Sequence, residues 1–529
     1  MAQNARKLKI GIIDIVSARR KRTLYGRVMH GNLASIMPQS VAVWCEEMGH
    51  ETHFLCFTGV ENPREDFPDD IDIVFITAFT QAAQLAYALS AQFRKRGVPT
   101  VLGGPHARCY PEDAVNYFDY VLGFTDKTLI ADVLADASIQ SSGVALAAKS
   151  HPRTLPSLRA RWKFVQKTLE KSATSFKLVP MIGSLGCPYT CSFCIDSPIP
   201  YQPLDFAQIK DDLLFLKANS PDPIVGWHDP NFGVRFDDYL GVIEEANHGG
   251  RIRHVAESSL SILSEPHVKR MAAAGFGGIL PGIESWTGLD NKSKTRGLSP
   301  RDKMLKISDH VNMILRHIPY LQANFVLGLD DDEGDEPFEL TKEFLDRTPG
   351  AFPAYSLFSA FGEAAPLNLE LQKQGRILPF PHHFLNNNQA MNVKPKNYEW
   401  TDFFDRLIDL TRHSFSLKAI AARAGATQGW IPKWLNVVRA VSSEGFGRIK
   451  YHSEVVRRLR ADPQMRAFFE QESDVLPSFY RERMKTDLGD LWEDLPEGAL
   501  SHDPYAYSKK AAAKAKAAEI VETAAFTTA

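Results

Sequence analysis

Apolar residues in the first 140 positions fall in short unbroken runs, and the segments between them carry apolar residues at helical spacing. The run KIGIIDIV (9–16) predicts a buried strand, and THFLCF (52–57), DIVFIT (72–77), TVLGG (100–104) and YVLG (120–123) predict four more. Helices are expected at 38–49, closed by Gly49, at 82–96, closed by Gly97-Val98-Pro99, and at 128–137. Strands this apolar, alternating with helices, predict a parallel sheet covered on both faces. The pattern breaks at 138–176, where SIQSSG and the basic stretch HPRTLPSLRARWKFVQK read as a linker with room for one helix.

A second alternating array follows. Strands are expected at 178–184, 223–229, 253–256, 277–284, 320–328 and 354–359, and helices at 205–218, 236–247, 265–274, 300–316 and 336–346. Six β/α units in succession predict a parallel barrel or partial barrel, whose site lies at the strand C-termini. Past residue 370 the pattern turns helical and aromatic, and the Ala/Lys-rich end reads as a solvated helix or frayed tail. The fold class is α/β, divided as 1–137, a linker 138–176, a barrel core 177–370, a mostly helical region 371–505 and a tail 506–529.

Composition narrows the function classes. The 529 residues are 44% apolar and 23% charged, enough for sizeable cores. A formal net charge of −2 gives no global electrostatic reason to expect nucleic acid. No run approaches the roughly 18 apolar residues of a membrane span, and the start has no small-residue cleavage site. A cytoplasmic location is the default expectation. Six cysteines in so long a chain are no disulfide scaffold, and three of them crowd together at Cys187, Cys191 and Cys194.

Thiolates are soft ligands suited to zinc or to iron–sulfur clusters. Three spaced C-x3-C-x2-C can wrap one loop around a cuboidal cluster and leave one iron open. A zinc site would want a fourth ligand from a partner knuckle, and there is no second C-x2-C; His228 or a distant Cys would have to serve. The loop directly follows the first strand of the second array, where barrel chemistry occurs.

The loop Gly186-Cys187-Pro188-Tyr189-Thr190-Cys191-Ser192-Phe193-Cys194 resembles the signature of the radical S-adenosylmethionine (SAM) superfamily. The resemblance implies a [4Fe–4S] cluster on the three cysteines, SAM on the open iron and a 5′-deoxyadenosyl radical from its reductive cleavage. It continues in WHDPNFG (227–233), GILPGIES (278–285), NFVLGL (324–329) and the segment 356–377, where a usual Gly-Thr-Pro is replaced by Gly362-Glu363-Ala364-Ala365-Pro366. It implies SAM contacts at Phe193, Asp229, Asn231, Gly282, Glu284 and Ser285. Taken alone, Glu284 is an ordinary strand-end carboxylate and Asp229 a helix N-cap.

The preceding α/β domain, with MPQSVAVWCEEMGHET (37–52), VLGGPHA (101–107) and VLGFTDKTLIADVL (121–134), resembles the cobalamin-binding domain of the cobalamin-dependent branch. A Rossmann-like fold and cobalamin contacts at Thr77, Gly103, Gly104, Pro105 and His106 are implied. Gly103 and Gly104 lack Cβ and let backbone approach a large planar ligand, although for this pair taken alone a tight strand-to-loop turn is the better reading. The family's Gly-Glu-x-Glu turn reads Gly123-Phe124-Thr125-Asp126 here, and no D-x-H-x2-G cobalt-ligand motif occurs. His106 and His30 are therefore pocket or surface candidates, not assigned cobalt ligands, and Cys109 reads as a small buried hydrophobe.

Near the C-terminus, Trp430, Ile431, Trp434, Leu435 and Val438 recur at near-helical spacing, flanked by basic residues. The commoner reading is an amphipathic helix packed on the barrel; the other is a surface helix that meets lipid or a greasy substrate. His382 and His383 could line the barrel mouth, but paired loop histidines are ordinarily solvated.

The resemblance implies a cobalamin-dependent radical SAM methyltransferase acting on an unactivated carbon. One SAM supplies the radical and a second remethylates the corrinoid. Its partners would be a small-molecule, lipid or tetrapyrrole-like substrate and an electron donor such as flavodoxin or ferredoxin. An oxidative cyclisation, as in tetrapyrrole cyclases, and a zinc-holding binding protein remain as alternatives.

Overall fold

The computed structural model describes residues 6–19, 34–63, 65–171, 178–197, 199–288, 293–386 and 389–513. His30 and residues 514–529 of the expected tail lie outside these segments.

The first half alternates as predicted: β1 (Lys9–Ile15), α1 (Ile36–Glu47), β2 (Glu51–Phe57), β3 (Ile73–Ala78), α2 (Ala83–Lys95), β4 (Thr100–Gly103), the short α3 (Pro105–Cys109) and α4 (Pro111–Ala114), β5 (Tyr120–Leu122) and α5 (Lys127–Asp136). A sixth strand, β6 (Val144–Leu146), follows. All pairings are parallel and the order is β2-β1-β3-β4-β5-β6. The order reverses between β1 and β3, the point at which doubly wound sheets bind ligands beyond their strand ends. The strands Ile10–Ile15 and Ile73–Ile76 are buried on both faces, as their unbroken apolar runs require.

Residues 138–176 are more than a linker. They add β6, which continues the first sheet beside β5, and α6 (Leu158–Lys171), whose Arg161 donates to Gln39 of α1 at 2.7 Å. The strand escaped notice because it is three residues long and lies at the sheet edge with Val144 and Ala145 exposed, so it carries no apolar alternation.

The second array is β7 (Leu178–Met181), a hairpin β8 (Ser184–Leu185) with β9 (Gln202–Pro203), α7 (Phe206–Asn219), β10 (Ile224–Trp227), α8 (Phe236–Ala246), β11 (Arg253–Ser259), α9 (Glu265–Ala273), β12 (Phe276–Glu284), α10 (Pro300–Leu315), β13 (Tyr320–Leu327), α11 (Glu336–Arg347) and β14 (Ala351–Leu357). Its six main strands pair in sequence order, β7-β10-β11-β12-β13-β14, all parallel. This is the expected six-unit partial barrel.

The C-terminal region is helical: α12 (Pro366–Lys373), α13 (Trp400–Ser414), α14 (Leu417–Ala426), α15 (Trp430–Val441), α16 (Phe446–Ala461), α17 (Pro463–Phe469) and α18 (Ser478–Leu488). Its final stretch returns to the first domain. Gln84 of α2 donates to the Ala499 carbonyl and accepts from His383 N–H, and Gln92 donates to Asp494. The two sheets are thereby strapped together. No helix among the described residues is long and apolar enough to cross a membrane.

Candidate active site

The cysteine loop is held by its ends. β8 and β9 pair antiparallel at its base, and Cys187 N–H donates to the Ile199 carbonyl at 3.2 Å. Gly186 makes the turn with φ +69°, and a Cβ there would lie 2.3 Å from the Pro200 carbonyl oxygen, so only glycine fits. Cys187 and Cys191 are buried and Cys194 half-buried, and none is in a disulfide. Phe193 is half-buried on the same loop. The remaining cysteines sit elsewhere. Cys45 and Cys56 belong to the first domain's core, and burial pushes the Cys109 thiol up to about 12, beside Thr80. Cys109 is the buried hydrophobe expected. Three thiols on one loop, with no fourth beside them among the described residues, suit a cluster with an open iron better than a closed four-ligand zinc site.

Asp229 was expected among the SAM contacts, but its carboxylate is otherwise engaged. It is fully buried and accepts from Gly183 N–H (3.0 Å), the Ser184 hydroxyl (2.7 Å) and the Tyr239 hydroxyl (2.9 Å). Burial pushes its pKa up, while these three donors favour the ionised form. Nor is it a helix cap, since Arg235 occupies the N-cap of α8. It anchors the base of the cysteine loop to the end of β10. Asn231 does the same between neighbouring strands, accepting from Ser259 N–H at 2.8 Å. Tyr189 of the cysteine loop meets Ser261 at 2.8 Å, beyond the end of β11.

At the end of β12 the register shifts between Gly282 and Glu284, and Glu284 adopts φ +67°. A non-glycine residue held in the left-handed region at a strand end carries backbone strain. Its side chain folds over Gly282, where a Cβ would come 2.3 Å from Glu284 Oε1. Ser285 is buried, 3.0 Å from the Thr287 hydroxyl. Sequence reading missed Asp332, which is buried and accepts from Gly328 N–H, Leu329 N–H and the Thr287 hydroxyl. It ties the ends of β12 and β13 together. The Asp run at 330–332 hid it, because three adjacent carboxylates read as a solvated loop.

A cleft open to solvent lies between the C-terminal ends of the two sheets. One wall carries Thr77, Gly103, Gly104 and Pro105 of the first domain; the other carries Gly186 and Asp196 of the cysteine loop and His228. Gly104 takes φ +91° in contact with β3, where a Cβ would lie 2.9 Å from Thr77 Cγ2. Nothing stands within 4 Å of a Cβ at Gly103, so that position faces open space. The N-terminus of α1 completes the wall. It is held there by buried Asp14, which accepts from Ser35 N–H at 2.7 Å and whose pKa burial raises to about 6.

Several cleft residues were not foreseen. Phe124, in the turn that departs from the family pattern, packs on His151 at 4.5 Å, and the Arg108 guanidinium lies 5.3 Å from its ring centre. Arg108 also donates to the Ile195 carbonyl at 2.6 Å, bridging the glycine turn to the cysteine loop. Asp126 of the same turn caps α5. Burial lowers the His228 pKa to about 4, so its imidazole is neutral.

His106 is the clear correction. It does not line the cleft but points behind the turn, fully buried. There its Nε2 donates to the Tyr87 hydroxyl at 2.6 Å, Tyr87 donates to Asp113 at 2.7 Å, and His382 donates to the same Asp113 oxygen at 3.0 Å. His502 stacks on His382 at 4.1 Å. His382 and His383 are therefore buried, not solvated, and clamp the C-terminal region onto the first domain. Neighbouring side chains on a helix point about 100° apart, so Pro105 lines the cleft while His106 enters the core.

The Trp430 helix packs on the barrel as expected, through Leu435 and Ala440, but its tryptophans face away from it. Its buried positions are Asn436 and Ala440, while Trp430 is 75% exposed.

No family model matches the chain. It is 22% identical over 384 residues to the bacteriochlorophyllide d C-12(1)-methyltransferase of Chlorobaculum tepidum, spanning 70% of this chain and 81% of that one. It is 24% identical over 312 residues to the C-8(2)-methyltransferase of the same organism, spanning 56% and 67%. Among solved structures it resembles the radical SAM methyltransferase TsrM of Kitasatospora setae with cobalamin and a [4Fe–4S] cluster (TM-score 0.52, 13% identity, 86% of this chain and 99% of that one). It also resembles the cobalamin-dependent radical SAM enzyme OxsB with aqua-cobalamin (TM-score 0.54, 13% identity, 92% and 80%). The shared feature is the fold: a doubly wound sheet, a six-stranded partial barrel and a helical C-terminal region.

Proposed function

We propose that this chain is a cobalamin-dependent radical SAM methyltransferase that methylates an unactivated carbon of an apolar, tetrapyrrole-like substrate. The observation that carries the reading is the cleft itself, where the open glycine wall of one domain faces the cysteine loop of the other. Its lining is mostly apolar, with Ile12, Met37, Phe75, Phe79, Leu122 and Phe124, which suits the broad face of a macrocycle. The bacteriochlorophyllide substrates named for the two curated relatives support the substrate class.

In this reading Cys187, Cys191 and Cys194 hold the cluster. Gly282, Glu284, Ser285, Asn231 and Phe193 border SAM, and Thr77, Gly103, Gly104 and Pro105 border the corrinoid. When bound, these groups supply a 5′-deoxyadenosyl radical and a transferable methyl group; the protein's task is to position and shield them. Asp229 fixes the loop that carries the thiolates. The strained Glu284 backbone and the Asp332 clasp preset the strand ends against which SAM would lie. Arg108 and Phe124 hold the two walls in register. A small electron-transfer protein of flavodoxin or ferredoxin type supplies the reducing electron.

Anaerobic reconstitution tests the reading. The expected result is about four irons per chain, bound cobalamin, and transfer of label from methyl-deuterated SAM to product. Label absent from an otherwise converted product would favour the oxidative cyclase, and failure to cleave SAM when reduced would remove the radical reading altogether.

A further inference from the structure

Six of the thirteen large apolar side chains that stand exposed among the described residues fall in one segment: Leu417, Trp430, Trp434, Val437, Val441 and Phe446. Four of them are spaced i, i+4, i+7 and i+11 along α15 and so share one face. The opposite face is seated at the N-terminal end of the barrel. Arg439 donates to Gln322 near the start of β13 at 2.6 Å, and Arg423 of α14 donates to the Ala351 carbonyl at the start of β14 at 3.0 Å. The apolar face therefore looks away from the barrel, at the end opposite the cysteine loop.

Its surroundings are strongly basic. Residues 412–460 contain ten Lys and Arg against two Glu. Both acids are spent within the segment, Glu444 on Arg439 and Glu454 on Arg457 and Arg458. Arg412, Lys418, Lys433 and Lys450 are exposed, and no ion pair engages them among the described residues. Lys433 lies three residues after Trp430 and four before Val437, on the border of the apolar stripe.

We propose that this face docks onto the surface of an anionic lipid bilayer. Tryptophan and aliphatic side chains on one helix face, ringed by lysines, are what an interfacial helix needs to enter the acyl boundary while its cations meet lipid phosphates. A second copy of the chain fits less well. A two-fold contact would set the same uncompensated lysines against one another, with no acidic residue on the face to receive them. Docking at this end leaves the cleft mouth unobstructed. The proposal stands apart from the radical reading and can fail without it.

The test floats the full chain, cofactors bound, with vesicles of phosphatidylcholine alone and with vesicles containing about one third phosphatidylglycerol. Binding is expected only to the anionic vesicles, with release at high salt and a blue shift of tryptophan emission on binding. W430S/V437S and K418E/K433E/K450E are each expected to lower the bound fraction about tenfold or more. Unchanged iron content and thermal unfolding in both variants will show that the fold is kept. Absence of wild-type binding to anionic vesicles, or binding that neither variant weakens, overturns the proposal. So does light scattering that shows a dimer broken by W430S/V437S without any vesicle binding, since the face would then belong to a second copy.

Discussion

The barrel mouth and the imidazole cluster behind the glycine turn both bury carboxylates against hydroxyls and ring nitrogens, yet they serve different ends. At the mouth, Asp229 and Asp332 each gather three donors, and the loop and strand end that Asp229 pins border the cleft through Leu185, Gly186 and His228. Behind the turn, Tyr87, His106, Asp113, His382 and His502 come from three distant parts of the chain and pack against one another and the rings of Tyr110, Tyr117 and Phe118. Residue type does not separate a site from a clamp. What separates them is whether the network ends at a cavity.

The largest test of this contrast is acid. Burial lowers the His382 and His502 pKa values to about 3, against 6.5 for a free imidazole. Between those limits the unfolded chain binds protons that the folded chain does not, so stability is complete above about pH 6.5 and is lost as pH falls toward 3. Each imidazole contributes about 1.4 kcal/mol per pH unit, or together up to about 5 kcal/mol by pH 4.5. Urea unfolding at pH 7.5 and 4.5 measures this, and a flat profile would sink the clamp.

Next comes the mouth. Asp229→Ala leaves Gly183 N–H and the Ser184 and Tyr239 hydroxyls without their acceptor, at a cost of about 3 kcal/mol. Iron per chain is expected to drop well below wild type, with Asp229→Asn milder. Full iron loading in the alanine variant would show that the loop does not depend on this anchor. Gly104→Ala forces a Cβ against Thr77 at positive φ and should cost about 1–2 kcal/mol. Here corrinoid binding should weaken while iron stays constant, which titration by absorbance can follow.

His382→Phe retains the ring volume and removes one hydrogen bond, for about 1 kcal/mol. It should flatten the acid transition without altering iron or corrinoid content; a change in either would make the cluster part of the site. The smallest effect is expected at Trp430→Ser, within about 0.5 kcal/mol in calorimetry, because the ring buries little against its own chain.

Much of the architecture was legible in local pattern. Unbroken apolar runs marked ten of the strands, and the weak one at 253–256 was placed but read too short; it extends to Ser259. β6 was lost because a three-residue edge strand has no periodicity to read. The cysteine spacing and the Gly103-Gly104-Pro105 turn located both walls of the cleft, since thiolate ligation and freedom from Cβ are properties of residue type.

Direction was not legible. His106 follows Pro105 by one residue yet enters the core, and Asp229 sits in a family-like segment yet faces inward to Ser184. Which way a strand-end side chain points depends on strand twist and on what packs behind it, and those partners come from residues as distant as 382 and 502. The Trp430 stripe shows the same limit from the other side. Its periodicity reveals one apolar face, but the buried Arg423 and half-buried Arg439 anchors turn that face away from the barrel. The sequence by itself determined the two parallel sheets, the thiolate loop and the glycine turn, because each follows from local spacing. Tertiary structure decided which polar groups border the cleft and which are buried as clamps, because burial is a property of what surrounds a residue.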